Sequence, residues 1–140
     1  MRALTTGLYN RASGAAGVAF MASIGSRFYD TEAPQRATFP YVVYLIVSQV
    51  KDWQFAERFE DVLLQFSIFS TASSSLEADD IYTLLVALFD EQYLTVAGYS
   101  HFIWMWRNNL TRMRDEITTK QGTVGAWHLA VDFDLYYEKD

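Results

Sequence analysis

The two histidines are the first candidates for a metal or catalytic site. His101 and His128 are the only ones in the chain, and no cysteine is present to complete a set of ligands. His128 and Asp132 share one face of a predicted strand, but at a rise of about 3.3 Å per residue they stand roughly 13 Å apart. Because that distance is too long for one ion, we expect structural or solvent-facing histidines and no metal site.

Two aspartates on the same predicted strand are the next candidates. Asp132 and Asp134 point to one face of the sheet and resemble half of a calcium site, but the sequence offers no further oxygen ligands near them. We therefore interpret them as part of a solvated sheet face.

Serine and glycine motifs give no support to hydrolysis or nucleotide binding. Residues 73–75 are serines without a Gly-x-Ser-x-Gly elbow, and Ser74 followed by Glu77 matches a helix capping box instead. Gly14, Gly17 and Gly25 match neither the dinucleotide fingerprint nor a phosphate loop with its lysine. We expect no catalytic residue, no cofactor and no enzymatic activity.

A basic segment at residues 107–120 follows Trp104 and Trp106, and such a mixture can bind single-stranded nucleic acid. Acidic residues interrupt it, however, and the chain as a whole carries a net charge of -6. The segment is therefore interpreted as a loop of mixed charge between strands. Its basic residues are Arg107, Arg112, Arg114 and Lys120, and its acidic residues are Asp115 and Glu116.

The composition indicates one soluble domain over residues 1–140. Hydrophobic residues make up 51% of the chain and charged residues 20%, which is typical of a packed globular fold without disulfides. The longest uncharged run, residues 15–26, is shorter than the roughly 20 apolar residues that cross a bilayer. We expect neither a transmembrane segment nor a secretory signal.

Helical spacing of apolar residues predicts three helices. Met1, Leu4 and Leu8 share one face of a first helix that stops before Gly14. Residues 17–24 predict a second short helix ended by Gly25. A third begins near Ser74 and carries apolar residues at helical spacing through residue 88.

Four or five strands are expected around these helices. Residues 41–47 form a β-branched and aromatic run typical of a central strand buried on both faces, and residues 62–68 alternate as a second strand. A short strand at residues 94–96, a turn at Gly98 and a strand at residues 99–107 follow. Residues 127–137 alternate most regularly. The order predicts an α+β fold, a mostly antiparallel mixed sheet of four to five strands packed against two to three helices.

Several stretches, in matching order, resemble the tail-completion family of long-tailed phages with flexible tails. They are FYDTEAP at residues 28–34, FPYVVY at 39–44, FEDVLLQFSIFS at 59–70, the helix at 74–89, Gly122-Thr123, and WHLAVDF at 127–133. The resemblance spans nearly the whole chain.

The resemblance implies a structural tail terminator at the head-proximal end of the tail of a virion assembled in the host cytoplasm. Such a subunit forms a homohexameric ring on the major tail tube protein, ends its polymerisation and joins the tail to a head–neck connector or stopper protein. Phage DNA passes through the ring without sequence-specific binding, and an acidic lumen would suit that passage. No catalytic residue is carried over.

Residues 50–58 and 107–120 are the segments that we expect to contact neighbours in such a ring. Two alternatives remain open. The first is a neck or head-closure protein of the same virion, because one small α+β architecture serves several roles. The second is a small enzyme or ligand-binding α+β domain with a pocket between the sheet and its helix.

Overall fold

The computed structural model describes residues 2–54, 57–96, 99–119 and 122–138, and it describes the side chains of residues 2–49, 61–96, 104–116 and 122–136. Helices and strands follow one another along the chain without the regular alternation of parallel α/β folds. The elements are α1 (Arg2–Ser13), a 3-10 turn (Ala15–Gly17), α2 (Val18–Ser23), β1 (Phe28–Asp30), β2 (Tyr41–Gln54), β3 (Glu57–Ser70), α3 (Leu76–Phe89), β4 (Gln92–Val96), β5 (Tyr99–Thr119) and β6 (Gly122–Glu138).

The described strands form one curled, six-stranded sheet in the order β1-β2-β3-β6-β5-β4. β1 runs parallel to β2, and every other neighbouring pair is antiparallel. This confirms the mixed, mostly antiparallel α+β class, but the predicted count of four to five strands is wrong. The missed strand is β1, whose three residues are too few to show an alternating pattern.

The helices pack on one face of the sheet, which we call the inner face. α1 ends at Ser13 before Gly14, and Gly25 follows α2 with a φ of 58°, as the sequence predicts. α1 approaches β4 closely at Gly7, where an added Cβ would lie 2.9 Å from the Thr95 carbonyl oxygen. Glycine at this position therefore sets the distance between α1 and the sheet edge.

Phenylalanine rings fill the space between the inner face and the helices. Phe66 of β3 stacks on Phe89 of α3 at a centroid distance of 5.0 Å and meets Phe133 of β6 edge-on at 5.3 Å. Phe28 of β1 joins the same group, with its ring 6.2 Å from Phe66. Since these residues come from both ends of the chain, this core links β1, the central strands and α3.

The capping box predicted at the start of α3 is wrong. The helix begins at Leu76 and its N-cap residue is Ser75, which makes no side-chain capping hydrogen bond. Glu77 instead accepts a 2.7 Å hydrogen bond from the buried hydroxyl of Ser70, at the end of β3. A tertiary partner therefore replaces the local one, and the bond ties the strand to the helix that follows it.

Two long hairpins replace the loops predicted at residues 50–58 and 107–120. Pairing between β2 and β3 continues to Gln54 and Glu57, and pairing between β5 and β6 continues to Thr119 and Gly122. Charged residues are compatible with these strands because the hairpin ends extend beyond the core. The predicted turn at Gly98, residues 55–56 of the predicted loop and Lys120 lie outside the described residues.

The strand at residues 41–47 is confirmed, but it lies second from the edge of the sheet and only part of it is buried on both faces. Val42, Val43 and Tyr44 are buried, whereas Leu45 and Val47 are 37% and 50% exposed. β1 covers the edge of β2 only as far as Tyr44, so the residues beyond it lose that cover.

Candidate assembly surface

The outer face of the sheet, opposite the helices, is the candidate functional surface. The helix residues in the core pack with inward-facing strand residues, and among the described residues no helix packs on the outer face. Outer-face side chains of neighbouring strands form rows across the sheet, because residues paired in register point to the same side. Some of these rows are aromatic and others are acidic.

The first aromatic row crosses β2, β3 and β6. Tyr41, Phe69 and His128 are consecutive cross-strand partners. The ring centroids of Tyr41 and Phe69 are 5.0 Å apart, and those of Phe69 and His128 are 4.3 Å apart. Phe39, just before β2, lies 5.0 Å from Tyr41 and extends the row. The result is a continuous aromatic surface that no described helix covers.

A second aromatic row lies at the other end of the outer face. Tyr93 of β4 pairs with Trp104 of β5, which pairs with Tyr136 of β6. The Tyr93 and Trp104 rings are 4.7 Å apart, and Tyr93 is 61% exposed. Trp106 lies next along β5. Large aromatic side chains that are half-exposed on a sheet are frequent anchors of protein–protein interfaces.

Acidic side chains separate the two rows. Asp132 accepts a 3.0 Å hydrogen bond from the Gln65 side-chain amide, and Asp134 stands two residues further on the same face. Partial burial, followed by repulsion from Asp61 and then Asp132, raises the pKa of the Asp134 carboxyl above its ordinary value. These carboxylates make the centre of the outer face negative. Among the described residues, no three histidine, aspartate or glutamate side chains are grouped to hold a metal ion.

The root of the β5–β6 hairpin carries a polar pair. The Nδ1 atom of His128 lies 3.0 Å from Asp115 Oδ2 on the neighbouring strand. Within the described part of the chain, His128 Nε2 and Trp127 Nε1 are buried without a hydrogen-bond partner. Since successive residues of a strand point to opposite faces, one of these unpaired groups lies on each side of the sheet.

The three arginines of the 107–120 segment, which are its described basic residues, are engaged with the protein itself. Arg107 donates a hydrogen bond to the Tyr82 hydroxyl, and Arg112 pairs with Asp79, both on α3. Arg114 lies over the Trp127 ring, with its guanidinium carbon 4.9 Å from the ring centroid. These contacts place the arginines on the inner face, where they hold α3 and Trp127 and do not form a free basic patch.

A shallow polar cleft lies away from the outer face, between α1 and the β1–β2 edge. Its volume is about 290 Å³, and its lining includes Arg2, Asn10 and Asp30. Burial, followed by the Asp30 carboxylate and Tyr9, raises the pKa of Tyr44 in its wall to about 12. The ligand-binding alternative requires a pocket between the sheet and its helix, but the phenylalanine core fills the space between the sheet and α3.

Sequence reasoning identified the strand faces but missed which residues meet across them. The sequence places His128 and Asp132 on one strand face, whereas the side chain that His128 contacts in the structure is Asp115. The aromatic rows were also missed, since Phe69 and His128 are distant in the chain and only the strand register brings them together. The one available signal was the high aromatic content of 16%.

These features define a class: an α+β domain whose sheet has one face packed by helices and one aromatic face uncovered by them, an architecture suited to assembly with other proteins. A chain in a structure titled "Virion of native gene transfer agent (GTA) particle" shares this fold, with a TM-score of 0.78 and 15% sequence identity over 98% of this chain and 96% of that chain. No curated protein sequence matches the chain.

A match between the sequence and a protein-family model identifies the family of this chain. The model of the family "Tail completion protein gp17" matches residues 7–138, and the chain belongs to this family of structural phage tail proteins. The resemblance recognised in the sequence is thereby confirmed. No described helix is both long and apolar enough to cross a membrane.

Proposed function

We propose that the protein is a tail terminator, a single domain over residues 1–140 that forms a ring on the end of the tail tube. It ends polymerisation of the major tail tube protein and offers a binding surface to a connector or stopper protein of the neck. The observation that carries this proposal is the uncovered aromatic outer face in a chain matched almost end to end by the tail-completion family.

The protein acts through contact, without a catalytic step. The histidine–carboxylate pair in the described part of the chain, His128 with Asp115, has no nucleophile beside it among the described contacts and lies at a hairpin root. Its described arginines at positions 107, 112 and 114 are engaged by α3 or Trp127. We therefore expect phage DNA to pass the ring without sequence-specific binding, helped by the net charge of -6.

Tail tubes assembled with and without the protein provide the direct test. Electron microscopy should show rings at one end of tubes of uniform length when the protein is present, and tubes of variable length without rings when it is absent. Rings on the neck side of complete tails, together with unregulated tube length, would instead favour the neck or head-closure role.

Two exposed tyrosines provide matched variants for the outer face. Tyr93 on the second aromatic row is 61% exposed, and Tyr9 on α1 is 41% exposed. Tyr93→Ala should weaken binding to tube ends, because it removes an aromatic anchor, while Tyr9→Ala should bind like the unmodified protein. Equal binding by both variants would show that the second aromatic row is not the tube contact.

A further inference from the structure

Two stretches of strand edge are open, at opposite margins of the sheet. β1 pairs with β2 only from Val42 to Tyr44, so residues 45–54 of β2 have no neighbour on that side among the described strands. β4 pairs with β5 only as far as Met105, so beyond Met105 no described strand pairs with β5 on the side opposite β6. Open edges present unpaired backbone N–H and C=O groups, which can bind another strand.

The end of the β5–β6 hairpin also projects beyond the rest of the sheet. β3 stops at Ser70, opposite Trp127, so β5 is the one described strand that pairs with residues 122–126 of β6, through its residues 115–119. We call these two segments the arm. At a rise of about 3.3 Å per residue, the arm extends roughly 17 Å past the end of β3. Isolated two-stranded ribbons are marginally stable, so the arm gains from a third strand.

Each open stretch begins with a β-bulge. The register of β2 shifts between Ile46 and Ser48, just after the last residue covered by β1. The register of β5 shifts between Arg107 and Asn109, just after β4, where Asp90 accepts a hydrogen bond from the Arg107 backbone amide. Bulges bend a strand and increase its local twist, so both strands bend near the point where their cover ends, while β2 stays paired with β3 and β5 with β6.

We propose that the open β5 edge of one copy, including its part of the arm, adds to the open β2 edge of a second copy, in an antiparallel pairing of residues 110–119 with residues 45–54. The proposal rests on the ring-forming role proposed above and names the contact that links the subunits.

Strand direction and length support this pairing. Consecutive antiparallel pairs β2–β3, β3–β6 and β6–β5 make β5 run opposite to β2, so two copies in the same orientation meet with antiparallel edges. The open edge of β5 beyond Met105 is longer than residues 45–54 of β2, so it can pair with all of them. The two paired segments are residues 45–54 and 110–119. Each contains as many acidic as basic residues, and neither contains one of the two prolines, so neither net charge nor proline blocks the pairing.

The short edge strands select the offset between the copies. Tyr44 is the last β2 residue that pairs with β1. It pairs with Phe66 of β3, which pairs with Val131 of β6, so these three residues lie side by side across the sheet. To avoid β1, the neighbour's paired segment must lie beside the part of β2 that follows Tyr44. The neighbouring copy is therefore displaced by about ten residues along the strands, or roughly 30 Å. This contact joins different surfaces of the two copies, so it repeats from copy to copy and can close a ring.

Cysteine cross-linking tests the pairing cleanly, because the chain contains no cysteine. Ser48 on the open β2 edge and Glu116 on the arm are both exposed and fall near each other in the proposed register. A protein carrying both S48C and E116C, treated with a flexible bis-maleimide, should give a ladder of covalent multimers. The reaction is run on concentrated free protein and on protein bound to tail tubes.

Single variants distinguish the proposed contact from a two-fold symmetric one. A mixture of S48C protein and E116C protein should stop at covalent dimers, and either variant alone should give none. Dimers from S48C alone or from E116C alone, or no ladder from the double variant in either setting, would overturn the proposal. Val18 in α2 is 66% exposed, and V18C with E116C serves as the control that should not cross-link.

A lysine on the open edge gives an independent test. Val47 and Val18 are exposed to similar degrees, at 50% and 66%. In the double-cysteine protein, Val47→Lys should abolish most of the ladder because a charged edge residue opposes strand addition, whereas Val18→Lys should leave it unchanged. Both variants should unfold at the temperature of the parent. A ladder that survives Val47→Lys at full intensity would contradict the pairing.

Different results would contradict the strand pairing and the terminator role. Rings that form on tube ends without the Ser48–Glu116 cross-link would refute the strand pairing and leave the terminator role intact. A ladder in free protein that never binds tube ends would support the pairing and refute the terminator role.

Discussion

The Nδ1 atom of His128 lies 3.0 Å from Asp115 Oδ2, and this contact joins β6 to β5 where the arm leaves the sheet. The His128 side chain is 17% exposed and that of Asp115 is 41% exposed, while the imidazole ring stacks on Phe69. The contact therefore links the first aromatic row of the outer face to the root of the arm.

Asp115→Ala should loosen the arm without unfolding the protein. Because the carboxylate is partly exposed, we expect a loss of about 1 kcal/mol or less in the free energy of unfolding. Hydrogen exchange should show faster exchange of backbone amides in residues 113–119 and 122–128. The neighbouring Glu116→Ala variant provides the control, and equal exchange in both variants would show that the His128 contact does not hold the arm.

Phe66→Ala should destabilise the whole fold. Phe66 is fully buried and contacts rings from β1, α3 and β6, so its removal leaves a cavity between the sheet and the helix. Such truncations cost about 3–5 kcal/mol in the free energy of unfolding. Chemical denaturation checks the value, and Leu45→Ala, at a residue that is 37% exposed, should cost far less.

Arg112→Ala should change stability by less than about 0.5 kcal/mol, because both members of its ion pair with Asp79 are substantially exposed. Since the arginine lies on the inner face against α3, binding to tube ends should also remain unchanged. Thermal unfolding and tube binding are the measurements. A large loss of tube binding would show that the inner face takes part in assembly.

Asp134→Asn should stabilise the protein at neutral pH. The pKa of Asp134 is raised in the folded state, so the folded protein holds this proton over a pH range in which the unfolded chain has lost it. Stability of the unmodified protein therefore falls as the pH rises through that range, and the variant avoids this loss. We expect a gain of up to about 1 kcal/mol at pH 7, because the variant removes a partly buried charge and its repulsion by Asp61 and Asp132.

The gain from Asp134→Asn should disappear in acid, where the carboxyl is protonated in both states. Melting temperatures measured from pH 3 to pH 7 provide the check, with Glu32→Gln in an exposed loop as the control. A gain that is the same at all pH values would show that the ionised Asp134 carboxylate is not its cause.

The sequence by itself determined the local elements and the family. Apolar spacing predicted α1, α3 and the alternating strand through residues 127–137, because burial of one face imposes a period on each element. The sequence also contains segments that resemble the tail-completion family in matching order, and the family match over residues 7–138 confirms this resemblance.

Tertiary structure alone decided how these elements meet. β1 exists because its three residues pair with β2, and Glu77 binds Ser70 instead of capping its own helix. The charged stretches that looked like loops are hairpin strands, with Arg107 and Arg112 held by α3. Periodicity reports only which face of an element is buried, whereas strand register depends on contacts between residues distant in the chain, so no local pattern could place Asp115 beside His128.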